Sequence, residues 1–124
     1  MAFVAMGAIP SRNKQTMSLE NNASEKLFES KVKQLCVMNG WHYFHATPHQ
    51  VRPGVFRSDG KGFPDLTMSH PERGLIFAEL KTAIGKPSKE QLEWLRALAP
   101  WAEVYLWRPN DLDHIAERLG RAVK

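Results

Sequence analysis

An α/β fold of one domain, with helices on the faces of one sheet and strands in mixed order, is what this sequence predicts. Three observations carry that prediction. Apolar residues recur with helical spacing at Phe28, Val32 and Leu35 and again at Leu92, Leu95 and Leu98, while short apolar runs of strand length lie between and after them. Gly and Pro gather where the period changes rather than inside the runs. The chain has 124 residues, 43% hydrophobic and 24% charged, which suits one core and leaves little for a second.

Taken in order, residues 1–21 hold no sustained period and 11–16 are wholly polar, so they read as a flexible leader before a domain over 22–124. Asn22 or Ser24 caps a first helix, and Gly40 stands where a left-handed terminator belongs. Residues 41–46 form a short aromatic strand. Residues 47–62 hold Pro48, Pro53, Gly54, Gly60 and Gly62 among Arg52, Arg57 and Lys61, the composition of a long basic loop. Residues 65–69 and 75–81 make a hairpin through 70–74. A helix over 88–99 stops at Pro100, a strand follows at 102–107, and an amphipathic helix closes the chain at 110–121. The order is αβββαβα, without repeats. Trp41, Trp94, Trp101 and Trp107 sit at core-like spacing and read as packing.

Charge and cysteine narrow the function classes. A formal net charge of +4 and a pI near 9.4 permit a polyanionic partner. Cys36 is the only cysteine, which excludes an intrachain disulfide and a cysteine-based zinc site and fits a reducing, intracellular setting. His42 and His45 differ by three positions on a strand, so they face opposite ways and are unsuited to share a zinc. No apolar run reaches the ~18–20 residues of a spanning helix, and the apolar opening lacks the basic start of a secretory signal.

The chemistry concentrates in the hairpin. Glu79 and Lys81 project from one side of their strand. A turn centred on Glu72 sets Asp65 opposite Glu79, roughly 5 Å apart at Cβ. Two carboxylates so placed repel unless a cation lies between them, and Lys81 with an oxygen-liganded divalent metal supplies that charge. An E-x-K is commonly a solvated strand face. Here the flanking Leu75-Ile76-Phe77-Ala78 are apolar on both faces, which marks a strand buried on both sides.

Gly62-Phe63-Pro64-Asp65 through Phe77-Ala78-Glu79-Leu80-Lys81 resembles the PD-(D/E)xK nuclease motif. With Gly40-Trp41, Tyr43-Phe44-His45, Ser88 to Gln91, Trp94-Leu95 and Val104-Tyr105-Leu106-Trp107-Arg108-Pro109, the chain is similar to the VRR-NUC branch of that superfamily, above all its small stand-alone phage and bacterial members. The likeness runs over about residues 24–119. It implies a restriction-endonuclease-like αβββαβ core with a mixed central sheet flanked by helices, and a Mg²⁺- or Mn²⁺-dependent phosphodiesterase. Carried over, Asp65, Glu79 and the Leu80 backbone carbonyl are metal ligands, and Lys81 orients or activates the attacking water.

The resemblance also implies one more acid on the first helix. At ~100° per residue from Phe28, Glu25 falls about 60° and Glu29 about 100° from the reference, so Glu25 is favoured as the metal-side acid. Gln91 matches the family's second-helix glutamine, yet Ser88-Lys89-Glu90-Gln91 also spells a capping box, and both roles stay open. His45 either touches substrate phosphate or is an ordinary strand histidine. Arg52, Arg57, Lys61, Lys86 and Lys89 flank the carboxylates and suit phosphate contacts. The expected activity is therefore a DNA endonuclease, selective for branched, Holliday-junction-like substrates and acting as a homodimer. A non-catalytic or partner-dependent nucleic-acid-binding module that keeps the fold is the alternative.

Overall fold

The computed structural model describes residues 2–3, 14–46, 49–52, 55–57 and 60–120, with side chains at 24–46 and 60–120. Helix α1 (Lys14–Met38) buries Phe28, Val32 and Cys36 along one stripe, with Leu35 packed at its margin. Its end is built as the sequence suggests. Gly40 takes a φ of 79°, and the Trp41 N–H reaches back to the Cys36 carbonyl at 2.9 Å while the Gly40 N–H reaches Val37 at 3.4 Å. This pair of bonds is a Schellman end, which favours glycine at the left-handed position.

The main sheet has five strands in the order β1–β7–β6–β5–β2: β1 (Ala2–Phe3), β2 (His42–His45), β5 (Leu66–His70), β6 (Gly74–Leu80) and β7 (Glu103–Trp107). Strands β2, β5 and β6 run antiparallel as a meander. Strand β7 returns parallel to β6 after helix α2 (Lys89–Leu98), and β1 lies parallel outside it. A short 3₁₀ turn (Pro109–Asp111) leads from β7 into α3 (Leu112–Gly120). The result is a mixed sheet with three helices on its faces.

Each sheet face has its own core. Leu66, Met68, Ile76, Ala78, Leu80, Tyr105 and Trp107 pack with the stripes of α1 and α3. Phe77, Val104 and Leu106 pack with Leu95 of α2 on the other face. Strand β6 is thus covered on both sides, which explains its unbroken apolar run.

Three expectations change. Nothing in residues 14–21 breaks a helix, and α1 extends back through them from its packed turns to Lys14. The expected leader over 1–21 thus contributes β1 and the start of α1; its other residues lie outside the described ones. The stretch 47–62, expected as an irregular loop, carries an antiparallel ribbon of β3 (His49–Arg52) and β4 (Val55–Arg57). Trp101 is 86% exposed on the turn between α2 and β7, whereas Trp41 and Trp107 are buried as expected. Its apolar neighbours in sequence belong to two elements that diverge there, so spacing alone misplaces it.

The hairpin register is the one the turn implies: Leu66 pairs with Ala78, Met68 with Ile76 and His70 with Gly74. One step further along the same ladder sets Asp65 against Glu79, at the end of β6 from which α2 departs.

Candidate active site

Asp65 is delivered by a lead that docks on α2. Gly62 has a φ of 85°, and a Cβ there would lie 2.6 Å from the backbone carbon of Glu90. Only glycine permits both the turn and that approach. Phe63 stands edge-on to Trp94 (4.9 Å) and to Phe77 (5.7 Å), and the Trp94 indole donates to the Lys61 carbonyl at 3.1 Å. Beyond this lead, the Ala46 N–H bonds the Asp65 carbonyl at 2.9 Å, extending the β2–β5 ladder. The Leu80 N–H donates to Asp65 Oδ2 at 2.8 Å, which locks the carboxylate against β6.

Glu79 is 1% exposed. Its Oε2 accepts from Gln91 Nε2 at 2.7 Å and lies 3.5 Å from the Lys81 ammonium. Its Oε1 is buried and has no hydrogen-bond partner among the described residues. Burial pushes the Glu79 carboxyl up to about 8, the Asp65 charge pushes the same way, and Lys81 opposes them. Burial also raises Asp65, against the Leu80 N–H bond and the charges of Lys81 and His45. The pair therefore favours holding one proton between two carboxylates when no cation is present.

Gln91 both completes the capping box and reaches Glu79. Its Oε1 accepts from the Ser88 N–H at 2.8 Å, and the Gln91 N–H donates to Ser88 Oγ at 3.1 Å, completing the capping box. Its Nε2 faces the other way and holds Glu79. A glutamate at this position satisfies the cap and lacks the donor, so the residue type matters for the carboxylate rather than for the helix.

Of the two candidate acids on the first helix, Glu29 is half-buried and turned to His45 and Lys33. Glu25 is exposed. Glu29 Oε1 lies 3.4 Å from His45 Nε2, and Oε2 pairs with Lys33 at 2.9 Å. Lys33 Nζ also lies 3.1 Å from His45 Nδ1. His45 sits opposite Leu66, one residue from Asp65, on the α1 face of the sheet.

Among the cationic candidates, Lys61, Lys86 and Lys89 are exposed around the lead and the start of α2. Arg52 and Arg57 belong to the β3–β4 ribbon, and their side chains lie outside the described residues. A groove of about 570 Å³ between α1 and β2, lined by Lys33, Gln34, Val37, Met38 and Tyr43 among others, does not include the carboxylate pair.

Sequence reasoning paired Lys33 with Glu29, as found, but missed its contact with His45 and missed Thr82, Arg108 and Asp111. The signal for Arg108 was present: a charge placed directly after an apolar strand, and found here 9% exposed. Among the described residues no group of three or more His, Cys, Asp or Glu side chains gathers. The oxygen donors present are those of Asp65 and Glu79, with the Leu80 carbonyl between Glu79 and Lys81 in the chain. Two carboxylates, one with a buried oxygen lacking any donor, fit a hard divalent cation that keeps several waters or phosphate oxygens. No protein-family model, curated protein or solved structure matches the chain. Function is therefore read from these side chains.

Proposed function

We propose that the protein is a Mg²⁺- or Mn²⁺-dependent phosphodiesterase of the PD-(D/E)xK type, similar to VRR-NUC nucleases with their restriction-endonuclease-like core, acting on DNA. One observation carries the reading: a buried carboxylate pair beside a lysine, with Glu79 Oε1 left without a donor. Asp65, Glu79 and the Leu80 carbonyl would hold the cation. When bound, it supplies charge neutralisation at the scissile phosphate and lowers the pKa of water.

The chain's own groups do the rest. Gln91 and Leu80 N–H keep the two carboxylates oriented. Lys81 orients the attacking water and offsets negative charge as it develops on the phosphate. Lys61, Lys86 and Lys89 hold flanking phosphates without reading sequence. Branched DNA is the favoured substrate by resemblance, and symmetric cleavage of a junction needs two sites, hence a homodimer. Among the described residues no helix is long and apolar enough to cross a membrane.

The test is incubation with branched, flapped and linear DNA in Mg²⁺, Mn²⁺ or EDTA. Metal-dependent cleavage is expected, with branched substrates cut fastest. Tight, metal-indifferent DNA binding without cleavage would instead mark a binding module.

A further inference from the structure

The chain leaves β6 at Lys81 and turns at once. The Gly85 N–H donates to Thr82 Oγ1 at 2.9 Å, closing a turn over residues 82–85. Arg108, 9% exposed, donates from Nη1 to both carbonyls that bracket this turn, Thr82 at 2.7 Å and Gly85 at 2.6 Å. The Lys81 N–H meets the Trp107 carbonyl at 2.9 Å, one residue before Arg108. Arg108 is anchored in turn, its N–H donating to Oδ2 of buried Asp111 at 2.8 Å.

The turn folds back along the lysine. A Cβ at Gly85 would lie 3.5 Å from Lys81 Cδ and 3.0 Å from Thr82 Oγ1. The Lys81 stem thus has the turn beside it and Glu79 Oε2 at 3.5 Å from its ammonium. A four-carbon stem otherwise spreads over many rotamers. Burying a guanidinium so that one nitrogen, Nη1, grips two backbone carbonyls is costly for a turn already closed by a side-chain bond, and a lysine stem is too short to carry its nitrogen as far.

We propose that Arg108 is a positioning residue for Lys81: by fixing the 82–85 turn against the lysine stem, it keeps the ammonium beside Glu79. The activity arm of its test rests on the phosphodiesterase reading; the mobility arm does not.

The parent, Arg108→Lys, Thr82→Val and Thr82→Ser are compared by Mn²⁺-dependent cleavage, by melting with and without Mn²⁺, and by NMR relaxation of the Lys81 side-chain methylenes. In Arg108→Lys and Thr82→Val, kcat is expected to fall about tenfold or more while KM and the Mn²⁺-induced rise in melting temperature stay as in the parent. The Lys81 methylenes become more mobile in both, and Thr82→Ser, which keeps the hydroxyl, behaves like the parent. An unchanged kcat, or a kcat loss with unchanged Lys81 mobility, overturns the proposal. If Arg108→Lys does not fold, the Thr82 pair decides. If the parent cleaves no DNA in Mn²⁺, the nuclease reading fails, and the methylene mobilities alone decide whether Arg108 positions Lys81.

Discussion

Glu79 and Glu103 stand on neighbouring strands of one sheet, at opposite ends of it, and their surroundings differ in kind. Arg118 grips both oxygens of Glu103, Nε to Oε2 at 2.7 Å and Nη2 to Oε1 at 2.8 Å, and the Tyr105 hydroxyl adds a third bond. The same guanidinium donates to the Arg73 carbonyl at 2.8 Å and lies 5.5 Å over the Trp41 ring. The bond from Arg118 holds the Glu103 carboxyl below its usual range. Glu79 has one amide donor, one ammonium at 3.5 Å, and a second carboxylate opposite. Charge alone does not separate a structural ion pair from a site. The facing partner does: Glu103 meets an opposite charge, whereas Glu79 meets a second carboxylate, a repulsion that folding does not reward and a bound cation relieves.

The largest expected effect breaks the comparison at Glu79. Asp65→Asn and Glu79→Gln should lower metal-dependent cleavage by about 10²-fold or more, the scale of losing one charge-stabilising group. Both variants should melt in EDTA no lower than the parent, since each removes a repelling charge and keeps the shape. The parent should gain ~2.7 kcal/mol at a hundredfold excess of metal over its dissociation constant, and both variants should lose most of that gain. Amide variants that melt well below the parent in EDTA would make the pair structural.

Glu103→Gln should do the reverse. Losing charge-assisted bonds to Arg118 costs about 1.5–3 kcal/mol in a denaturant titration, while cleavage stays within about twofold of the parent. A large loss of activity at unchanged stability would erase the contrast between the two ends.

Titration sharpens the same contrast. Glu79 rises from 4.5 to about 8 on folding, so the folded chain binds that proton more tightly. Its contribution is fully present below the ordinary carboxylate range and is lost as pH rises through about 8. Glu103 is lowered, so its contribution is present above the ordinary range and is lost as pH falls through its folded value. Metal-free stability between pH 5 and 8 should therefore decline in the parent and flatten in Glu79→Gln. A parent curve no steeper than that of Glu79→Gln would place the raised carboxyl elsewhere.

The smallest effect separates the two uses of Gln91. Gln91→Glu keeps the cap but sets a carboxylate against Glu79, so at pH 8 it should lose about 1 kcal/mol or more, and markedly less at pH 5. Ser88→Ala should lose about 1 kcal/mol at both pH values, because it removes only the cap. Equal losses for Gln91→Glu at the two pH values would reduce Gln91 to a capping residue.

Much of the site is legible in the sequence. The pairing of Asp65 with Glu79 follows from the position of one turn and the two-residue alternation of a strand, and Lys81 shares the face of Glu79 by the same alternation. The buried character of β6 is written in its apolar run. Gln91 carries two local signals that do not conflict, and the amide serves both at once.

The sequence by itself determined the order of the three helices and of strands β2, β5, β6 and β7, the hairpin register, the lysine beside the paired acids and the glycine lead at Gly62. All of these depend on local period, turn chemistry or backbone freedom. Only the tertiary structure decided that Glu29 rather than Glu25 turns to His45, that Trp101 faces outward, and that Arg108 reaches beneath the turn after Lys81. Each of those depends on the rotation of a docked helix or on where a strand far along the chain ends. Such placements are set by how two helix layers share one sheet, a long-range packing distance that no local spacing contains.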